Sequence, residues 1–114
     1  MAKTAAQYLP LTESAYLILA SLTEPSHGYA IMQECALVAG NGLKLGPGTL
    51  YTSLGKLIEQ GLIRPAGESG QGGERRKLYR LTPLGRDVVV LECRRLEALV
   101  EWGRGRLEES GVKL

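Results

Sequence analysis

Between Gly46 and Gly61 the chain offers Thr49, Tyr51, Thr52, Ser53, Lys56 and Gln60: hydroxyls, a phenol, an ammonium and an amide. At the helical period, Leu50, Leu54, Leu57 and Ile58 fall on one face. Thr49, Ser53, Lys56 and Gln60 fall on another, flanked by Tyr51 and Thr52. Glu59 is the only acid in the stretch, and it comes near the end. Small hydrogen-bonding groups with one cation suit the major groove of a duplex. A solvated face of a core helix more commonly mixes Lys with Glu. These residues alone leave the two readings balanced.

A second group, Arg75, Arg76, Lys77 and Arg80, carries charge rather than hydroxyls. The net charge is only +2, but residues 75–114 hold ten Lys or Arg against six acids, whereas residues 1–74 hold four against six. Such a run can hold a phosphate backbone, the alternative being a solvated basic hairpin. His27 is the sole histidine and Asp87 the sole aspartate. Neither belongs to a nucleophile–base spacing, a phosphate loop or a metal-ligand cluster, so catalysis, a metal and a cofactor are not expected. Cys35 and Cys93 lie far apart, and no signal peptide or long apolar run accompanies them. Two buried thiols in a reducing cytoplasm are expected, a redox switch being the weaker alternative.

These groups need elements to position them. In 114 residues there is room for one small core, built without Phe and with a single Trp. Residues 1–10 read as a loose N-terminal arm. Thr12 and Glu13 open a first apolar helix, which Thr23-Glu24-Pro25 ends. Ser26 is placed to cap a second helix, through Tyr29, Ile31, Met32, Cys35 and Val38, that Gly40-Asn41-Gly42 stops. Residues 43–45 form a short extended link. Gly46-Pro47-Gly48 leads into a third helix, and Gly61 closes it. The period then changes. Leu62 to Ala66 is extended, residues 67–73 are a glycine-rich tip, and Arg76 to Leu81 alternates. Three helices followed by a basic hairpin predict a winged helix-turn-helix over residues 11–82. Thr82-Pro83 restarts a helix within residues 83–114, running to about Ser110 over roughly 40 Å, with Gly103 and Gly105 weakening its last turns. Its stripe of Val89, Cys93, Leu96, Val100 and Leu107 predicts dimerisation with a second copy. Its arginines and glutamates, Glu92 among them, read as a solvated, salt-bridged face. The fold class is mainly α with a small β-hairpin.

Five short strings together resemble the PadR family of bacterial transcriptional regulators. They are Leu11-Thr12-Glu13-Ser14-Ala15-Tyr16, His27-Gly28-Tyr29-Ala30-Ile31, Gly48-Thr49-Leu50-Tyr51, Gly61-Leu62-Ile63, and the run from Lys77 to Arg86. They occur in order across about residues 11–90, and the combination is far more specific than any single string. The resemblance implies a winged helix, a dimer through the C-terminal helix and repression of a nearby promoter. The single C-terminal helix is similar to that of the small PadR subfamily, some of whose members bind planar hydrophobic effectors near the dimer centre.

What the resemblance implies for DNA contact falls on Thr49, Tyr51, Thr52, Ser53 and Lys56, with Arg75, Arg76 and Lys77 holding the wing on the backbone. Thr52 stands where many relatives carry Pro, and Gly55 where a larger residue is usual. Trp102 is the candidate effector contact, its plainer role being to pack the dimer seam. Tyr16, Tyr29 and Tyr79 are expected in the core, and His27 at a helix start. The expected partners are double-stranded DNA and a second copy, with room for a small hydrophobic or aromatic effector, in the cytoplasm and without a membrane. The competing reading is a winged helix used for protein–protein contact.

Overall fold

The computed structural model describes residues 3–40, 45–70 and 75–114. The expected stop at Asn41-Gly42, the link residues 43–44 and the glycine-rich tip at 71–74 lie outside the described residues. Four helices and one hairpin follow in order: α1 (Glu13–Ser21), α2 (Gly28–Ala39), α3 (Pro47–Glu59), β1 (Ile63–Ser69), β2 (Arg76–Leu81) and α4 (Pro83–Glu109). The fold is mainly helical, as the sequence predicts.

The helix ends follow side-chain chemistry. Thr12 and Thr82 each accept a backbone N–H into their hydroxyl, from Ala15 (3.1 Å) and Gly85 (3.0 Å), which satisfies one orphan donor per helix. Pro47 and Pro83 occupy the first turns of α3 and α4, where a missing N–H costs nothing. At the far end of α3, Gly61 takes φ +75°. Its N–H donates to Ile58, and the N–H of Leu62 donates to Leu57 (both 3.0 Å). This double closure needs a left-handed residue, which glycine supplies without strain. The cap of α2 differs from expectation. His27, not Ser26, holds the N-cap position, its Nδ1 accepting from Ala30 at 3.3 Å. Ser26 is occupied instead by a two-bond bridge to Tyr79.

The core is one cluster: Ile18 and Leu19 of α1 with Leu22 at its C-cap, Ile31 and Cys35 of α2, Leu50, Leu54 and Leu57 of α3, Leu62 just before the hairpin, Ile63, Tyr79 and Leu81 of its strands, and Val88 of α4. Three expected core positions are open. Ile58 and Tyr29 are exposed, and Val38 beside Leu37 stands out at the end of α2. Ile58 lies about 80° round α3 from Leu50, off the buried stripe and toward the wing.

The helix α4 runs unbroken through Gly103 and Gly105 to Glu109, close to the expected end near Ser110. One expectation is corrected on it. Glu92, expected on the solvated face, is 1% exposed. It stands one turn from Val88 and one from Leu96, so burial carries it inward with them. Its carboxylate accepts the Leu11 N–H (2.6 Å) and is ion-paired with Arg95, which satisfies the buried charge. The N-terminal segment is thereby pinned. Rather than a loose arm, its described part, Lys3 to Pro10, forms a 3-10 turn at Ala5–Tyr8 that rests on α4. The Tyr8 hydroxyl donates to the Gln60 carbonyl (3.1 Å).

Among the described glycines, the closest backbone approach is at Gly85, between α4 and the end of α3. A Cβ on Gly85 would sit 1.9 Å from the Leu62 carbonyl oxygen. That same oxygen accepts the Thr82 N–H (3.0 Å), and the Thr82 hydroxyl donates to the Gly61 carbonyl (2.6 Å). Gly85→Ala must therefore push α4 off the hairpin base, at a cost of about 3 kcal/mol or more. Thermal unfolding should show a large fall in midpoint; a midpoint within a degree or two of the parent would contradict the packing.

The Arg95 guanidinium beside Glu92 holds its carboxyl below the usual carboxylate range, against the opposing push of burial and with help from the Leu11 N–H. A depressed folded value contributes stability above the unfolded value of about 4.3, and that stability is lost as pH falls through the folded value. Glu92→Gln should lower stability at neutral pH and flatten its fall in acid. Stability profiles that run parallel from neutral pH into acid would show that Glu92 does not carry this charge-dependent contribution.

Candidate nucleic-acid interface

Helix α3 has a split personality fixed by its wheel. Leu50, Leu54 and Leu57 are buried, while Thr49, Tyr51, Thr52 and Lys56 are exposed and Ser53 is half-buried. The line farthest from the core is Gly48, Thr52, Gly55 and Glu59, since these lie about 140–200° from Leu50. Apart from the helix's own backbone and the adjoining residues, nothing among the described residues stands within 4 Å of a Cβ built on Gly48 or Gly55. The outermost ridge is thus nearly bare backbone, with Thr52 its one small side chain before Glu59. The Thr52 hydroxyl donates to the Gly48 carbonyl at 2.9 Å, so its proton is committed within the helix and its oxygen is left as an acceptor.

The two flanks of the helix differ. On one, Ser53, Lys56 and Gln60 border a cleft against Tyr8, Leu11 and Thr12. On the other, Tyr51 reaches toward the start of α2: a Cβ on Gly28 would lie 2.7 Å from the Tyr51 hydroxyl oxygen. Glycine at 28 is what lets the phenol lie there.

Three elements meet at that point. Arg76, at the start of β2, places Nη1 3.5 Å from Nδ1 of His27 and its guanidinium carbon 5.2 Å from the centre of the Tyr29 ring. The exposure of Tyr29 is explained by this stacking, a cation on the face of an aromatic ring. Arg75 lies 3.9 Å from Glu68 with both side chains exposed, a pair worth little in water. Lys77 is exposed on the opposite face of β2 from Arg76, opposite Glu68 of β1. The expected contact residues therefore divide into two sets. Thr49, Thr52, Ser53 and Lys56 gather on α3, and Tyr51 and Arg76 meet across the start of α2. Arg75 and Lys77 stand farther along the wing.

The stripe on α4 changes character along its length. Val89, Cys93 and Leu96 are half-buried beside α1, whereas Val100 and Leu107 are exposed, as is Leu99. Cys93, expected buried, lies 3.5 Å from a carboxylate oxygen of Glu97, while Cys35 is buried and its thiol is pushed up by that burial. Trp102 is 70% exposed, and the Arg106 guanidinium lies 5.8 Å from its ring centre. Two residues from Val100, Trp102 points about 160° away from it around the helix. Sequence reasoning missed Glu92. Its signal was an acid interrupting the apolar i, i+4 line from Val88 to Leu96.

Among the described residues no group of three or more His, Cys, Asp or Glu gathers to hold a metal, and no helix is long and apolar enough to cross a membrane.

Residues 17–90 match the family described as the transcriptional regulator PadR-like family. An uncharacterized 37.1 kDa protein in transposon TN4556 of Streptomyces fradiae is 37% identical over 101 residues, covering 88% of this chain and 26% of its own length. A transcriptional regulator of Mycobacterium tuberculosis is 36% identical over 73 residues, 64% of each chain. This chain thus spans a quarter of one of these relatives and just under two thirds of the other. Among solved structures, a PadR family transcription regulator from Clostridium difficile superposes with a TM-score of 0.69 at 25% identity, over 84% of this chain and 99% of that one. Bacillus subtilis PadR in complex with operator DNA gives 0.56 at 27% identity, over 66% and 43%.

Proposed function

This chain belongs to the PadR-like family of transcriptional regulators, and from that premise we propose that it is a cytoplasmic, homodimeric repressor that reads an inverted-repeat operator in double-stranded DNA. The observation that carries the reading is the bare outer ridge of α3, backed by three buried leucines and standing clear of the protein's own packing. A helix with no bulky side chain on its leading edge can seat its backbone deep in a major groove. Thr52 then offers its methyl group and lone pairs to base edges, while Thr49, Tyr51, Ser53 and Lys56 reach the groove walls. Arg75, Arg76 and Lys77 hold the wing on the phosphate backbone, which positions the helix without specifying sequence. The likeness to Bacillus subtilis PadR in complex with operator DNA supports DNA as the partner.

The dimer rests on α4. Leu99, Val100 and Leu107 present apolar surface that the chain itself leaves uncovered, continuous with Val89, Cys93 and Leu96. A second copy laid along this stripe covers it and sets two α3 helices on one face of the duplex. The units of the proposal are a winged helix over residues 11–82 and a dimerisation helix over 83–114. The effector role falls on Trp102, which stands about 160° around α4 from Val100 and so outside the Val89–Leu107 stripe.

Binding to operator fragments selected from genomic DNA tests the reading through its salt dependence. Each lost phosphate contact lowers the slope of log affinity against log salt by about 0.9. Lys56→Ala and Arg76→Ala should each flatten the slope by about one. Parent-like slopes would remove both from the contact surface, and a protein that selects no fragment at all would favour the protein–protein reading.

Titration with a planar aromatic cation or neutral heterocycle should quench Trp102, the only indole in the chain. Unchanged affinity for that probe in Trp102→Ala would remove the effector role from this residue.

A further inference from the structure

The pairing of the wing strands juxtaposes charges that the family reading leaves without a task. In the register of the hairpin Arg64 stands directly opposite Arg80, and Ser69 opposite Arg76. Arg76, Leu78 and Arg80 share one face of β2 by the two-residue period of a strand. The outer face of the wing therefore carries Arg64, Arg76 and Arg80 around the half-buried Leu78. No acid shares that face among the described residues. Glu68 is opposite Lys77 on the inner face and is paired with Arg75. Among the described residues neither Arg64 nor Arg80 has a carboxylate partner.

Like charges directly opposite one another destabilise a strand pair, so this arrangement costs the free protein stability. Two exposed guanidinium forks side by side match the geometry of a phosphate, which each can grip with paired N–H groups. From Arg80 to Arg76 is four residues of strand, about 13 Å, along a line that ends where α2 begins. There Arg76 sits against His27 and Tyr29.

We propose that the Arg64–Arg80 pair at the base of the wing is a second phosphate-binding site for the DNA backbone. It extends the track that starts at Arg76. A strand leaving the groove filled by α3 passes the start of α2 and continues to the two arginines. This rests on the DNA-binding reading above and adds two contacts to it. Because those contacts go to phosphates, they strengthen binding to any sequence equally.

The test compares the full chain with the double variant Arg64→Gln/Arg80→Gln on a selected operator duplex and on a scrambled duplex of the same length, across salt. The salt slope of the double variant should be smaller by about 1.8, and the affinity at low salt should fall by a similar factor, tenfold or more, on both duplexes. Its melting temperature should equal or exceed that of the parent, since a repulsion has been removed. An unchanged slope overturns the proposal, and so does a loss confined to the operator. If DNA binding is unchanged but binding of a polyglutamate probe is lost, the pair serves an acidic polypeptide and the proposal fails. A lower melting temperature with an unchanged slope assigns the pair a structural role and likewise overturns it. A parent protein that binds neither duplex brings down the DNA reading itself, which separates that failure from the failure of the arginine pair.

Discussion

The first turn of α4 lies so close to the backbone of Leu62 that only glycine fits at position 85, where a Cβ would come within 1.9 Å of the carbonyl oxygen. Around this contact Thr82 donates twice, from its N–H to Leu62 and from its hydroxyl to Gly61. Three parts of the molecule meet there: the closing turn of α3, the base of both wing strands and the start of the long helix. Their mutual angles are set by backbone against backbone, where no side chain can flex to absorb a change. Interactions of this kind hold a geometry far more tightly than the apolar cluster beside them, in which volume-conserving swaps are tolerated.

That joint decides what the rest of the surface can do. It holds the α3 ridge of Gly48, Thr52 and Gly55 outward while Leu50, Leu54 and Leu57 are sunk in the core. It sets the wing beside the Tyr51 flank of α3, so that Arg76 lands on the start of α2. Farther along the lever, Glu92 ties α4 to the N-terminal segment through the Leu11 N–H and Arg95. The long helix is therefore gripped at two places, its first turn and its middle. Beyond Leu96 it carries apolar residues that the chain leaves open. In the proposed dimer this rigid lever sets the spacing of the two α3 helices.

Much of this was legible in the residues. Thr12, Thr82, Pro47, Pro83 and Gly61 announce helix ends because local chemistry alone fixes them. The leucine spacing of α3 and the alternation of β2 follow from the period of each element. What was hidden depends on partners distant in sequence. Glu92 looked solvated because its partner is the Leu11 N–H, 81 residues away. The N-terminal segment looked loose for the same reason. His27 displaced Ser26 as the α2 cap because Ser26 is drawn into a bridge with Tyr79. The helical period points Ile58 inward and an apolar-aromatic character does the same for Tyr29, yet the wing and Arg76 provide each with a neighbour at the surface. The opposition of Arg64 and Arg80 depends on register, which the bulge between Pro65 and Glu68 shifts and no local pattern reveals.

The central claim is that the leading edge of α3 enters duplex DNA. A photoreactive residue in place of Thr52, the outermost side chain of that edge before Glu59, tests it directly. On a selected genomic fragment, irradiation should crosslink position 52 to bases at two places related by an inverted repeat. Crosslinks from position 52 to protein alone, with DNA bound but untouched at that position, would contradict it.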